Sequence, residues 1–223
     1  NFAASKSINL LEFVYILIIS IDFFLFNKKN QFSEMYLILI LLLLLIFWYY
    51  SEFNTKIIGN FKVHNQFNTR SSEAVFTEIN SRIIILQNHM KKKYVYSSHF
   101  SHNIEMDKRT EQFIKNYNPK NLYEISPNNI LGNTSFTEGK GKKVVFCLRD
   151  KSGKLHDINT LMFVVLHEMT HIMNDRWGHE EYFWSLFRIV LIDAEEAGIY
   201  KPVNYSDFPK SYCGMQITQN PYF

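Results

Sequence analysis

Residues 161–171 read LMFVVLHEMTH, and the spacing inside this run decides what the rest of the chain must build around it. An α-helix turns once in about 3.6 residues, so His167 and His171, four positions apart, lie one turn apart on the same face. Two imidazoles placed this way can converge on one Zn²⁺. Glu168 lies beside them around the helix, close enough to take a proton from a metal-bound water. Zinc acidifies that water and polarises a carbonyl, so the trio points to hydrolysis. The competing reading is a pair of histidines satisfied inside a core. Burying two imidazoles and a carboxylate in one turn carries a desolvation cost that a cation offsets directly, which favours the metal.

A catalytic zinc takes a third protein ligand and keeps one position open. His179 is the expected third ligand, because Gly178 before it lets the chain turn and the next helix starts there. Glu195 is the rival, with Glu180 and Glu181 behind it, and Asp193 or Glu195 could instead hold a histidine ring in place. Tyr200, Tyr205 and Tyr212 are candidate phenol donors to a tetrahedral intermediate. With 13 tyrosines in the chain, each is more simply structural. His99 and His102 read as surface residues in a polar loop.

Working outward, 143–149 (KVVFCLR) is a short β-type run ended by the turn signal 150–153 (DKSG). Asn159 or Thr160 caps the helix that carries the histidines, and Trp177 and Gly178 close it. A following helix from about Glu180 to Ala197 has an apolar stripe of Phe183, Leu186, Phe187, Val190, Leu191 and Ala194. Upstream, 71–93 carries Val75, Ile79, Ile83, Leu86 and Met90 at helical spacing, with Ser72 as its cap, and a second helix covers 104–116. Residues 118–141, with two prolines and three glycines, read as turn and loop, and the tail from Lys201 as a wrapping coil. The expected fold class is α+β: a zincin-like metallopeptidase domain over 71–223, with a small sheet whose strand can pair with an extended peptide.

The amino end reads differently. Residues 35–50 (MYLILILLLLLIFWYY) hold no charge, and extension over 32–53 reaches the roughly twenty residues that a bilayer demands. A second apolar run, 8–26, is interrupted by Glu12 and Asp22, so a helical hairpin or one span plus an interfacial helix both fit. The expected organisation is therefore a membrane anchor over 1–58, a linker over 59–70, and the catalytic domain. Membrane lipid is then one partner and a protein or peptide substrate the other, while oligomeric state is left open.

Charge and cysteine content narrow the setting. The 24 basic and 21 acidic residues leave +3, too small an excess for a nucleic-acid footprint, and the runs 91–93 and 140–143 read as solvated faces. Two cysteines, Cys147 and Cys213, make no disulfide framework, so a reducing compartment and a cytosolic catalytic part at a membrane are expected. The sequons at Asn133 and Asn204 carry little weight against that.

The run 144–187, above all His167-Glu168-x-x-His171 followed by Gly178-His179-x-x-x-Phe183-Trp184, resembles the WLM-domain zinc metallopeptidases and is similar to the wider SprT-like group. The stretch 198–214 looks like a membrane-bound subgroup reminiscent of large DNA viruses. The resemblance implies His167, His171 and His179 as zinc ligands and Glu168 as general base. The family's role in removing proteins crosslinked to DNA does not carry over, because the chain lacks an evident basic DNA-binding tail. The leading expectation is a zinc metalloendopeptidase acting on proteins near a membrane. The alternatives are a membrane-tethered, non-catalytic zinc-binding structural or interaction protein and a hydrolase of non-peptide amides.

Overall fold

The strand-forming run at 143–146 lies inside a sheet, flanked on both sides. The computed structural model describes residues 36–37, 39–46, 55–64, 68–97, 104–128, 134–176 and 178–223. Two compact units divide the chain, Asn1–Ser51 and Glu52–Phe223.

In the second unit, β1 (Thr55–Ile58) and β2 (Phe61–His64) form a hairpin; β3 is Leu122–Glu124, β4 is Phe136–Glu138 and β5 is Lys143–Phe146. The sheet order is β1-β2-β3-β5-β4, with β2, β3 and β5 parallel and both outer strands antiparallel. Each neighbour pair follows from its connection. The two-residue turn at Gly59–Asn60 makes a hairpin, whereas the parallel pair β2 and β3 needs a long crossover, which two helices supply. Those are α1 (Thr69–Met90), continued by a π-helical turn at Lys91–Val95, and α2 (Ile104–Asn116). The chain then forms α3 (Ile158–Met173), α4 (Glu181–Glu196) and a separate hairpin of β6 (Lys210–Tyr212) and β7 (Met215–Ile217).

The core follows the apolar periodicity. Phe76, Ile79, Ile83, Leu86 and Met90 of α1 are fully buried, as are Val165, Leu166 and Met169 of α3 and Phe183, Phe187 and Val190 of α4. Asn68 caps α1, accepting from the amides of Arg70 and Ser71, and Asp157 caps α3, accepting from Thr160. Both caps lie a few residues before the expected ones, since a side-chain oxygen reaches the amide two or three positions on. Arg149, at the end of the β5 run, donates to the hydroxyls of Ser71 and Ser72 at 2.6 and 3.2 Å and lies 3.4 Å from the buried Glu124 carboxylate. One guanidinium thus ties the sheet to the start of α1.

Three expectations change. Residues 59–64, read as linker, supply β2, where Val63 is fully buried. The turn-rich stretch 118–141 contains β3 and β4. Cys147 and Cys213 are joined in a disulfide with their Cα atoms 6.0 Å apart, so the expectation of two free thiols in a reducing compartment is overturned. The bond holds the β6–β7 hairpin to the end of β5.

The membrane expectation is also corrected. Among the described residues no helix is long and apolar enough to cross a membrane. In the first unit the described positions 36–37 and 39–46 are helical, with Leu39, Leu41, Leu42 and Leu43 each about half exposed. The expected span over 8–26 lies outside the described residues. The fold is therefore an α+β arrangement around a mixed sheet, and lipid partnership through amino-terminal helices and a membrane location lose their support.

Candidate metal centre

The end of α3 is built to stop and turn back. Its last carbonyls have no partner within the helix, and α2 supplies them: Gln112 donates to the Ile172 carbonyl at 2.8 Å and Arg109 to that of Met173 at 3.3 Å. Lys140 donates to the carbonyls of Asn174 and Arg176. Close approach of the β4–β5 turn to α2 requires glycine at Gly141, where an added Cβ would sit 2.9 Å from the Asn116 carbonyl oxygen. After this clamp, Gly178 adopts φ +81°, a left-handed conformation that side chains disfavour. The turn brings His179 back over the face of α3.

The result is a convergence of three imidazoles. His179 Nε2 lies 2.9 Å from His167 Nε2 and 3.0 Å from His171 Nε2. Two ligands of one tetrahedral zinc, each about 2.0–2.1 Å from it, stand roughly 3.3 Å apart, so this donor set fits a single small cation. Phe183 of α4 sets the three rings from below. Its centroid is 4.4 Å from that of His171, stacked, and 4.7 and 4.9 Å from those of His179 and His167. Burial pulls the His167 pKa down to about 3, with His171 and His179 adding to the effect, and that of His171 to about 4, with His179 and Lys140 adding. Burial lowers that of His179 too. All three are neutral at pH 7, the form that ligates metal.

Glu168 faces the same space from inside. It is buried, and its Oε2 accepts from the Thr137 hydroxyl of β4 at 2.8 Å. Burial raises its pKa to about 7, and the Thr137 bond opposes that rise. A cavity of about 470 Å³ opens beside it, lined on the histidine side by His167, Glu168 and His179. Of the three candidate tyrosines, only Tyr212 lines this cavity, its hydroxyl 2.6 Å from that of Ser135. Tyr200 accepts from Asn220, and Tyr205 is packed edge-on against Phe163. Glu195 bonds to the Tyr222 hydroxyl, and neither it nor Glu180 or Glu181 joins the three histidines. His99 and His102 lie outside the described residues.

A second group of ligand-type side chains, His89, Asp193 and Glu196, lies at the far end of α4. Lys93 stands at its centre, donating to Asp193 and Glu196 at 2.7 Å each. Burial alone would lower the Lys93 pKa, but those two bonds outweigh it and raise it. The Asp193 carboxyl is pushed up by its own burial against the pull of Lys93. The ammonium thus already serves both carboxylates as a cationic partner.

Sequence reasoning missed Thr137, Lys140 and the seating role of Phe183. Phe183 was visible as part of an apolar stripe. Thr137 sits in a strand of three residues, too short to carry a period.

The comparisons with known proteins replace the expected family. No protein-family model matches the chain, which overturns the assignment to the WLM and SprT-like metallopeptidases. No solved structure matches it either, so the zincin-like label for the domain has nothing behind it beyond the motif. The chain is 36% identical over 85 residues to Uncharacterized protein 136R of Invertebrate iridescent virus 6, covering 37% of this chain and 46% of that protein. It is 35% identical over 101 residues to Uncharacterized protein 042R of Invertebrate iridescent virus 3, covering 42% and 62%. The match to Uncharacterized protein R325 of Acanthamoeba polyphaga mimivirus is 32% identical over 162 residues and takes in 72% of this chain and 78% of that protein. With that identity over most of both chains, this protein belongs to the family of the mimivirus protein R325.

Proposed function

We propose that this chain is a zinc-binding protein, with His167, His171 and His179 as the ligands. One observation carries the reading: His179 Nε2 meets the Nε2 atoms of His167 and His171 at about one ligand spacing, and the three rings offer their nitrogens to one another. An all-imidazole set without a carboxylate suits zinc better than magnesium, calcium or manganese. At its least, such a site is a structural clip. His179 stands on the irregular segment between α3 and α4, so one ion would staple that segment to α3 with no need of catalysis.

The finer proposal is a zinc metallopeptidase centre, and the buried carboxylate favours it. A clip has no use for Glu168, whereas bound zinc supplies an acidified water and a polarised carbonyl. Glu168 would hold the proton at Oε, with Thr137 fixing the carboxylate's orientation from β4. Among the described strands β4 is an edge of the sheet, the position at which an extended chain can pair. The expectation of an endopeptidase working on proteins beside a membrane is not kept, since no described helix crosses one.

Metal analysis and one variant test both levels. Purified protein should carry about one zinc per chain. Glu168→Gln should keep the metal and abolish cleavage of a mixed peptide library. Wild-type protein that holds zinc and cleaves nothing reduces the reading to the clip. Protein that takes up no zinc refutes both.

A further inference from the structure

The cavity beside the histidines has a chemical character of its own. Its walls include Phe163 and Val164 from α3, Trp184 and Phe187 from α4, and Met215 and Ile217 from β7. Phe187 is fully buried and Phe163 is 7% exposed, whereas Trp184 is 40% and Met215 48% exposed. The space therefore runs from a solvent-facing rim of Trp184 and Met215 to an aromatic floor. On that floor the Phe163 and Phe187 rings lie 5.3 Å apart, and Phe187 meets His167 edge-on at 5.2 Å. Glu168, on the histidine side, is the sole Asp, Glu, Lys or Arg among the lining residues, so the walls away from the histidines offer a charged side group no partner of opposite charge. The remaining lining is hydroxyl and amide, from residues such as Ser135, Thr218 and Gln219.

We infer that this cavity receives one large apolar group, aromatic by preference, of whatever molecule is held at the metal centre; the inference rests on the metal reading proposed above. The volume of about 470 Å³ lies within the roughly 300–1,000 Å³ of small-molecule sites. An aromatic guest gains edge-to-face contacts with Phe163 and Phe187 beyond the area it buries. Because His167, His179 and Glu168 also line the space, the group that enters is directly attached to whatever approaches the metal. The chemical class is thus a neutral chain bearing a bulky apolar side group next to the bond presented there. The β6–β7 hairpin supplies one wall, and the disulfide to Cys147 keeps it in place.

The test uses zinc-loaded full-length protein and two hydroxamates, acetohydroxamate and 3-phenylpropanohydroxamate, titrated by calorimetry. Both present the same metal-binding head, and they differ only in the group offered to the cavity. The phenyl compound should bind about tenfold to a hundredfold tighter, the gain expected for burying a phenylalkyl group. Met215→Glu places a charge on the rim at a half-exposed position that tolerates a polar side chain. It should cut that ratio to threefold or less, while zinc content measured on the same sample reports that the variant has folded. Equal affinities for the two compounds with zinc present, or a ratio that Met215→Glu leaves intact, overturn the inference and leave the metal reading standing. Failure of the wild type to take up zinc removes the metal reading and this inference with it.

Discussion

Among the described residues two places gather three possible metal ligands, and they differ in what the ligand atoms bond to. At the end of α3 the donors are three neutral imidazoles whose Nε2 atoms face one another. At the end of α4 the donors are a histidine and two carboxylates, and Lys93 bonds to both carboxylates at 2.7 Å. Proximity is the same in both, but charge balance is not. One group is a set of lone pairs aimed at a common point, and the other is an ion pair that has already found its counter-charge. Buried carboxylates keep a partner or lose stability; neutral imidazoles with converging nitrogens, two half-buried and one exposed, could hold a metal ion.

The contrast breaks most sharply by deletion of one member from each group. His171→Ala should drop zinc from about one per chain to a trace, because two histidines alone hold it too weakly to survive purification. His89→Ala should leave the zinc content of the protein unchanged, and elemental analysis of the two variants side by side decides it. Loss in His89→Ala alone would mean that the α4 cluster is the metal site.

A second test, of intermediate size, asks whether Lys93 is structural. Removing one partner of a buried pair costs about 3–5 kcal/mol. The Lys93 side chain is 35% exposed and water screens part of its charge, so Lys93→Met should cost about 1–3 kcal/mol in urea unfolding. Zinc content should not move. A neutral result would show that Asp193 needs no counter-charge.

The smallest effect is in pH. For the metal-free protein, the half-buried His167 and His171 refuse protons that the unfolded chain accepts below about pH 6.5. Their contribution to stability therefore falls as pH drops from about 6.5 towards 4, where His171 begins to titrate in the fold. Glu168, whose pKa burial raises to about 7, works the other way over the same range. The histidine part is read as the difference between wild type and His167→Ala with His171→Ala: the double variant should lose less urea stability, or gain more, on going from pH 7 to pH 5. A remainder is expected from His156, which burial also lowers.

What the sequence revealed follows from what carries a period. α2 covers 104–116 as the spacing suggests, and the buried stripe on α4 is the one its apolar residues trace. The positions of His167 and His171 on one helical face could be read from their spacing. His179 needed a turn at Gly178 that spacing does not determine, and the fold supplies it. β3 and β4, three residues each, hold too few positions for alternation to show, and β2 passed for a linker because only Phe61 and Val63 mark its inner face. The pairing of Cys147 with Cys213 leaves no local trace across 66 positions. At the apolar amino end the run of leucines states hydrophobicity, but no helix among the described residues is long and apolar enough to cross a membrane.

That cross-link has a practical consequence. One side of the cavity, from Tyr212 through Gln219, owes its position to a covalent bond rather than to packing alone. Two preparations with identical metal content but different thiol titres are then different reagents, since a sample purified in strong reductant carries a loosened wall beside an intact histidine cluster. Free-thiol counting therefore belongs next to elemental analysis whenever batches are compared for ligand preference.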